Sequence, residues 1–377
     1  MRRILLLAGA VVFVDMLFFS ALTPLLPHYA HTLGLSKTGA GALTAAYPLG
    51  VLVGAIPSGA VAARLGVKPT VVVGLSTVAV CVVIFGLADH SWQLFLARFV
   101  QGIASAFSWT GALAWLIAAA PVERRGTLIG SAFAAAVGGT LFGPVLGGVA
   151  SFAGTGWTFG VIGVASLALV GFAATTSAAP PEEPQPLSAL FAAFGDRQLL
   201  VCFWLVLLPG LLFGNLSVLV PLRLSHLGYG GAAIGAVFLC TAALESGNNI
   251  LVGRLSDRRG TTLPILAGLA GSAVLAALLP WPNKALLLAI VVVLASLAFG
   301  AFFTPALTML TNVSEARGLD YGYAFALVNL AWAPGETLGA AGGGGLAHAT
   351  ADAVPYLLLS LICIASFALL GRLTSRA

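Results

Sequence analysis

The sequence predicts an all-α membrane protein, with twelve transmembrane helices in two pseudo-symmetric six-helix bundles. Composition is the first observation behind this: of 377 residues, 59% are hydrophobic and 8% charged, with mean hydropathy +1.05. A soluble domain carries about 25% charged residues. Second, the chain divides into apolar stretches near the ~20 residues that a helix needs to cross a bilayer core. Third, the two halves of the chain resemble each other.

The spans run approximately over 4–27, 38–62, 69–88, 93–118, 128–150, 157–177, 198–222, 232–253, 262–279, 285–310, 321–346 and 354–372. The first opens "MRRILLLAGAVVFV", as a secretory leader does. Its apolar run continues to about Leu26, contains Asp15 and offers no cleavage site, so it reads as a retained span. Most connections are short. The exception is "SAAPPEEPQPLSALFAAFGDRQ" (177–198), rich in proline and glutamate and ending in a short amphipathic piece. The expected organisation is an N-terminal bundle over 1–177, a cytoplasmic linker over 178–197 and a C-terminal bundle over 198–377.

Lysine and arginine in short loops set the orientation. With the N-terminus inside, thirteen of the 17 basic residues fall on the cytoplasmic side, while Lys37, Arg223 and Lys284 fall outside and Arg98 within a span. Both termini are then cytoplasmic, in the inner (plasma) membrane. The net charge of +5 is a topology signal, and no nucleic-acid partner is expected. Cys81, Cys202, Cys240 and Cys363 lie in apolar stretches without metal-ligand spacing and read as buried small hydrophobes.

"LGLSKTGAGALTAAYPLGVLVGAIPSGAVAARLG" (33–66) aligns without a gap to "LGYGGAAIGAVFLCTAALESGNNILVGRLSDRRG" (227–260). Gly34, Gly59, Arg64 and Gly66 fall on Gly228, Gly253, Arg258 and Gly260, and Pro27 on Pro221, each pair 194 positions apart. Parallel repeats place the symmetry axis along the membrane normal and a substrate site between the halves near the midplane.

Ionisable residues inside spans are expensive, at least about 2.5–3.5 kcal/mol each at the bilayer centre, and should face a cavity or a partner. There are four: Asp15, Arg98, Glu245 and Glu336. Their neighbours form polar stripes at helical spacing: Arg98, Gln101, Ser105 and Ser108 in span four, Thr241, Glu245 and Asn248 (with Asn249 adjacent) in span eight, and Asn329, Trp332 and Glu336 in span eleven. With Asn215 of span seven they are substrate-cavity candidates. Tyr47, Trp109 and Trp332 could stack on an aromatic or cationic substrate, simple packing being the alternative. A carboxylate buried in a span is suited to take up and release a proton. Asp15 is the first candidate for proton coupling, against a structural pair with Arg98. Glu245 or Glu336 could carry the proton instead or attract a cationic substrate.

"GSAFAAAVGGTLFGPVLGG" (130–148) places glycines and a proline in span five. Pro144 cannot donate to the Thr140 carbonyl and should bend the helix. Gly139, Gly143 and Gly147 recur every four residues and flatten one face for close packing. Span eleven repeats the pattern with Gly335, Gly339, Gly343 and Gly344, and with Ala340 in the proline position.

These features together resemble the major facilitator superfamily. "GAVAARLGVK" (59–68) is similar to that family's loop motif G-x-L-A-D-R-x-G-R-K, and "GRLSDRRG" (253–260) to its second-half copy. "RFVQG" (98–102) resembles the R-x-x-Q-G motif of span four. "DMLFFSALTPLLP" (15–27) resembles the first-span pattern of twelve-span drug/proton antiporters. Gly130, Gly139, Gly143, Pro144, Gly147 and Gly148 match that group's antiporter motif. The resemblance implies the major facilitator fold, gating loops carrying Gly59, Arg64, Gly66, Lys68, Gly253, Asp257, Arg258 and Gly260, and a sealed contact of spans five and eleven between the halves. Ordinary close packing of glycine-rich helices is the alternative for that contact. Ala63 stands where the family has an aspartate that helps latch the cytoplasmic gate, while its repeat mate Asp257 is present.

His28, His31, His90, His226 and His348 fall at outer span ends in different loops and read as interfacial polar residues. "GYGGAA" (228–233) fits a dinucleotide pattern, but no strand precedes it. No metal site, cofactor or enzymatic motif is expected. The resemblance implies a monomeric exporter of small organic molecules driven by proton antiport across the lipid bilayer. A proton-coupled uptake symporter of the same fold is the alternative. A non-transporting membrane sensor would not need three membrane carboxylates.

Overall fold

Each apolar stretch forms one helix in the computed structural model, which describes residues 1–121, 124–178, 195–319 and 321–374. In chain order they are α1 (Arg2–Thr32), α2 (Lys37–Leu65), α3 (Val67–Gly86), α4 (Ser91–Ala119), α5 (Arg125–Ala153), α6 (Thr155–Ala174), α7 (Arg197–His226), α8 (Gly231–Arg259), α9 (Thr262–Leu278), α10 (Ala285–Ala316), α11 (Tyr321–Ala349) and α12 (Ala353–Thr374). Among the described residues, ten helices are long and apolar enough to cross a membrane, and α9 is a shorter apolar helix of 17 residues. Most of the linker expected over 178–197 lies outside the described residues.

Several helices overrun the bilayer-length estimate, which corrects the expected loops. Gly59 and Arg64 are in the last turns of α2, and Gly253, Asp257 and Arg258 in those of α8. The chain reverses only at Gly66 and Gly260, whose φ of 95° and 79° lie in the region that favours glycine. Their amides close the helices on Ala62 O at 3.0 Å and Ser256 O at 2.9 Å. Lys68 already sits in the first turn of α3. Cys240 is exposed, against the expectation of burial; Cys81, Cys202 and Cys363 are buried.

The repeat extends to individual contacts. A Cβ placed on Gly139, Gly143 or Gly147 of α5 would strike Phe13 O, Leu17 O and Ala21 O of α1, respectively. One placed on Gly335, Gly339 or Gly343 of α11 would strike Leu207 O, Leu211 O and the Asn215 side chain of α7. The α1 and α7 partners are again 194 positions apart, and the glycines 196. Each glycine ladder therefore lets a helix lie directly on the first helix of its own half. This overturns the expected contact between α5 and α11, because the glycine face is already filled from within the half.

Contact between the halves comes from the other edge of the same helices. Gly235 of α8 faces Pro144 O, and Gly41 of α2 faces Ala340 O; a Cβ on either glycine would come within 2.5 Å of that carbonyl. Gly148 lies against Gly231 and Ala232, as Gly344 lies against Lys37 and Gly41. These crossings sit at the starts of α2 and α8 and the ends of α5 and α11, at the end of the bundle far from the chain termini. Lys37 and Asp352 add an ion pair between the halves at this far face.

Candidate functional site

Midway along the bundle the halves diverge around a cavity of about 490 Å³, within the range that holds a drug-sized ligand. Its walls come from both halves: α1, α2, α4 and α5 on one side, and α7, α8, α10 and α11 on the other.

On the first wall, Asp15 of α1 is 2% exposed and lies just behind the cavity surface. Its Oδ2 accepts from Ser105 Oγ at 2.6 Å, Tyr47 Oη at 2.9 Å and Trp109 Nε1 at 2.9 Å. All three donors line the cavity, so the carboxylate is tied to the surface a ligand would touch. Asp15 Oδ1 is buried without a hydrogen-bond partner. Asp15 and Arg98, the alternative structural pair, form no ion pair among the described residues. Arg98 instead donates to Gln101 Oε1 at 2.9 Å and Phe19 O at 3.4 Å. Its guanidinium also sits 5.1–5.7 Å from the ring centroids of Tyr47, Phe19 and Phe18, a cation–π arrangement.

The opposite wall carries Glu245 and Glu336, both on the cavity, and neither carboxylate has a hydrogen bond or ion pair among the described residues. Thr241, Asn329 and Trp332 line the same space. Phe19 connects the walls by packing on Tyr47 at 4.7 Å and on Trp332 at 6.1 Å between centroids.

Three expected cavity residues lie elsewhere. Gln101 is spent on Arg98 behind the wall. Asn248 turns toward α10, where Nδ2 donates to Leu297 O at 3.0 Å. Asn215 is fully buried against Gly343, between α7 and α11. In each case the polar atom lies between helices, a distinction that spacing along one helix does not make. Of the span-five motif, Pro144 lines the cavity, Gly148 meets α8, and a Cβ on Gly130 would meet nothing.

Sequence reasoning overlooked α10. Asn249 Oδ1 accepts from Thr304 Oγ1 at 3.1 Å, and Ser296, Asn249 and Thr304 all line the cavity. The available signal was Ser296, Gly300, Thr304 and Thr308, at four-residue steps along an otherwise apolar helix. Among the described residues no group of His, Cys, Asp and Glu could hold a metal ion.

A family model described as the Major Facilitator Superfamily matches residues 8–336. The chain belongs to the major facilitator superfamily. A similar relative is the "Chloramphenicol resistance protein" of Streptomyces lividans, 28% identical over 375 residues, covering 94% of this chain and 93% of the relative. "Multidrug resistance protein 2" of Bacillus subtilis is 26% identical over 147 residues, 39% of this chain and 37% of the relative. Among solved structures, a bacterial homolog of the human lysosomal transporter Spinster superposes with TM-score 0.80 at 17% identity, covering 98% of this chain and 96% of that one. A D-xylose–proton symporter superposes with TM-score 0.77 at 14% identity, covering 98% and 96%. At such identities the superpositions speak for the fold alone. As a member of the superfamily the protein is a multi-pass membrane transporter, not an enzyme.

Proposed function

We propose that the protein exports small, largely apolar organic molecules by proton antiport through alternating access. The observation that carries this is the central cavity, whose wall is hydrogen-bonded directly to a buried carboxylate. A proton added at Asp15 Oδ1, which has no donor, would not need to displace the three donors on Oδ2. It would weaken their hold, because a carboxylic acid accepts less strongly than a carboxylate. Tyr47, Ser105 and Trp109 would then be freer to rearrange against a ligand, so that proton and substrate act on the same residues.

Direction and orientation complete the reading. The termini face, with most basic residues, is assigned to the cytoplasm of a plasma-membrane protein. The far-face crossings then lie between the cavity and the outside. The resistance named for the Streptomyces and Bacillus relatives fits removal of a compound from the cell. Support for antiport from the glycines of α5 is weaker than the motif implies, since they pack on α1 and have counterparts in α11. Symport on the same fold therefore stays as the second reading.

Reconstituted liposomes separate the two. With a pH-sensitive dye in the lumen, chloramphenicol added outside should alkalinise the lumen as substrate enters and protons leave. Acidification would establish symport. No proton movement during substrate uptake would overturn proton coupling in either form.

A further inference from the structure

Two acceptor oxygens converge beside Gly300 on the α8/α10 wall of the cavity. A Cβ at Gly300 would lie 3.2 Å from Glu245 Oε1 and 3.3 Å from Asn249 Oδ1, so both oxygens lie against the bare backbone of this glycine. Thr304, one turn along α10, donates to Asn249 Oδ1 and holds that amide in place. The carboxylate of Glu245 has no protein donor among the described residues. Arg98, the one basic residue on the cavity among them, is engaged with Gln101, Phe19 O and three rings.

We propose that Glu245, Asn249 and Thr304, gathered over the bare backbone of Gly300, form a head-group subsite for a protonated primary amine. The apolar body of the substrate lies against Phe19, Tyr47 and Trp332 across the same cavity. An ammonium fits because it presents several N–H donors to several acceptors and brings the charge that the unpaired carboxylate lacks. A neutral amide offers one donor and no charge, and a trimethylammonium offers charge without N–H. The inference rests on the cavity being the substrate site, but not on the direction of transport or on which group carries the proton.

The test uses the purified full-length protein and three probes of one shape: 2-(1-naphthyl)ethylamine, its N-acetyl derivative and its N,N,N-trimethyl derivative. Binding is read by equilibrium dialysis of each probe against the protein in detergent. The primary amine should bind about tenfold or more tightly than the acetamide, as one charge-assisted hydrogen bond would give, and more tightly than the trimethyl cation. Glu245→Gln should remove most of that preference while leaving the acetamide affinity unchanged, which also certifies a folded cavity. Gly300→Ala should weaken the amine more than the acetamide.

Equal binding of amine and acetamide by the unaltered protein overturns the proposal without any variant. So does an equal loss of both probes in Glu245→Gln, or a preference that disappears in Glu336→Gln and survives in Glu245→Gln. Binding of all three probes without preference leaves the cavity as the substrate site and removes only the subsite. No binding of any probe, together with no displacement of chloramphenicol, overturns both.

Discussion

The hydroxyl of Ser20 on α1 reaches the Thr140 carbonyl of α5 at 3.3 Å while bonding its own Met16 carbonyl at 2.7 Å. Thr140 O is the acceptor that Pro144, lacking an N–H, cannot serve within α5. A carbonyl left bare by a proline inside a membrane helix must be satisfied by a neighbour, and the close approach at Gly139 and Gly143 brings that neighbour near enough. The proline and the glycines are thus parts of one contact.

Ser20→Ala should accordingly destabilise the protein by about 1 kcal/mol, the net worth of one such hydrogen bond. In a Pro144→Ala background the cost should shrink, because the alanine amide in place of the proline can donate to Thr140 O along the helix. Denaturation of the four proteins in detergent gives the coupling as a double-mutant cycle. Zero coupling would mean that the Ser20 proton stays on Met16 O.

Enlarging the ladder glycines should harm folding within a half. Gly147→Val would press on Ala21 O and Pro24, and Gly343→Val on Asn215; overpacking of this kind costs about 1–3 kcal/mol. Both variants should lose melting temperature. Gly235→Ala, which meets Pro144 O across the halves, should instead loosen the far face and alter transport with a smaller change in melting temperature. If Gly147→Val melts normally and fails only in transport, the ladder serves the exchange between gates after all.

Asp15→Asn should abolish proton-coupled transport while preserving the fold. An asparagine oxygen can still accept from Tyr47, Ser105 and Trp109, and its amide takes the position of Oδ1, where no donor stands. Unchanged dependence of transport on an imposed pH gradient would move the proton to Glu336 or Glu245.

At the far face, Lys37→Gln should shift the resting equilibrium away from the closed arrangement. The Lys37 and Asp352 side chains are 35% and 30% exposed, and such a pair contributes roughly 0–1 kcal/mol. The shift should therefore be at most about fivefold in population. Spin-label distances between Leu35 and Ala349 positions would report it. A larger effect would assign the pair a dominant role, and none would leave closure to the glycine crossings alone.

The assigned orientation has its own test. In a cysteine-free background, cysteine at Ser36 should label from outside intact cells, and cysteine at Arg259 only after permeabilisation. Equal accessibility would refute the assignment.

Much of this architecture was legible in the chain. Apolar length located all twelve helices, and the 194-residue offset located the pseudo-symmetry, because both depend on local composition and on repetition. The charges at Asp15, Arg98, Glu245 and Glu336 marked the cavity region because burying charge in a bilayer is costly enough to require a reason. Helical spacing then named a face of each helix. It could not say whether that face meets a cavity, as for Thr241, or a neighbouring helix, as for Asn248 and Asn215.

Those assignments belonged to the tertiary structure. Only the packing of α1 on α5 and of α7 on α11 decided that the glycine ladders are filled from within each half, leaving Pro144 and Gly148 to meet the other. Only the approach of α8 to α10 set Thr304 against Asn249 and Gly300 against Glu245. A helix of 3.6 residues per turn presents several faces at once, and the partner of each is chosen by helices distant in the chain.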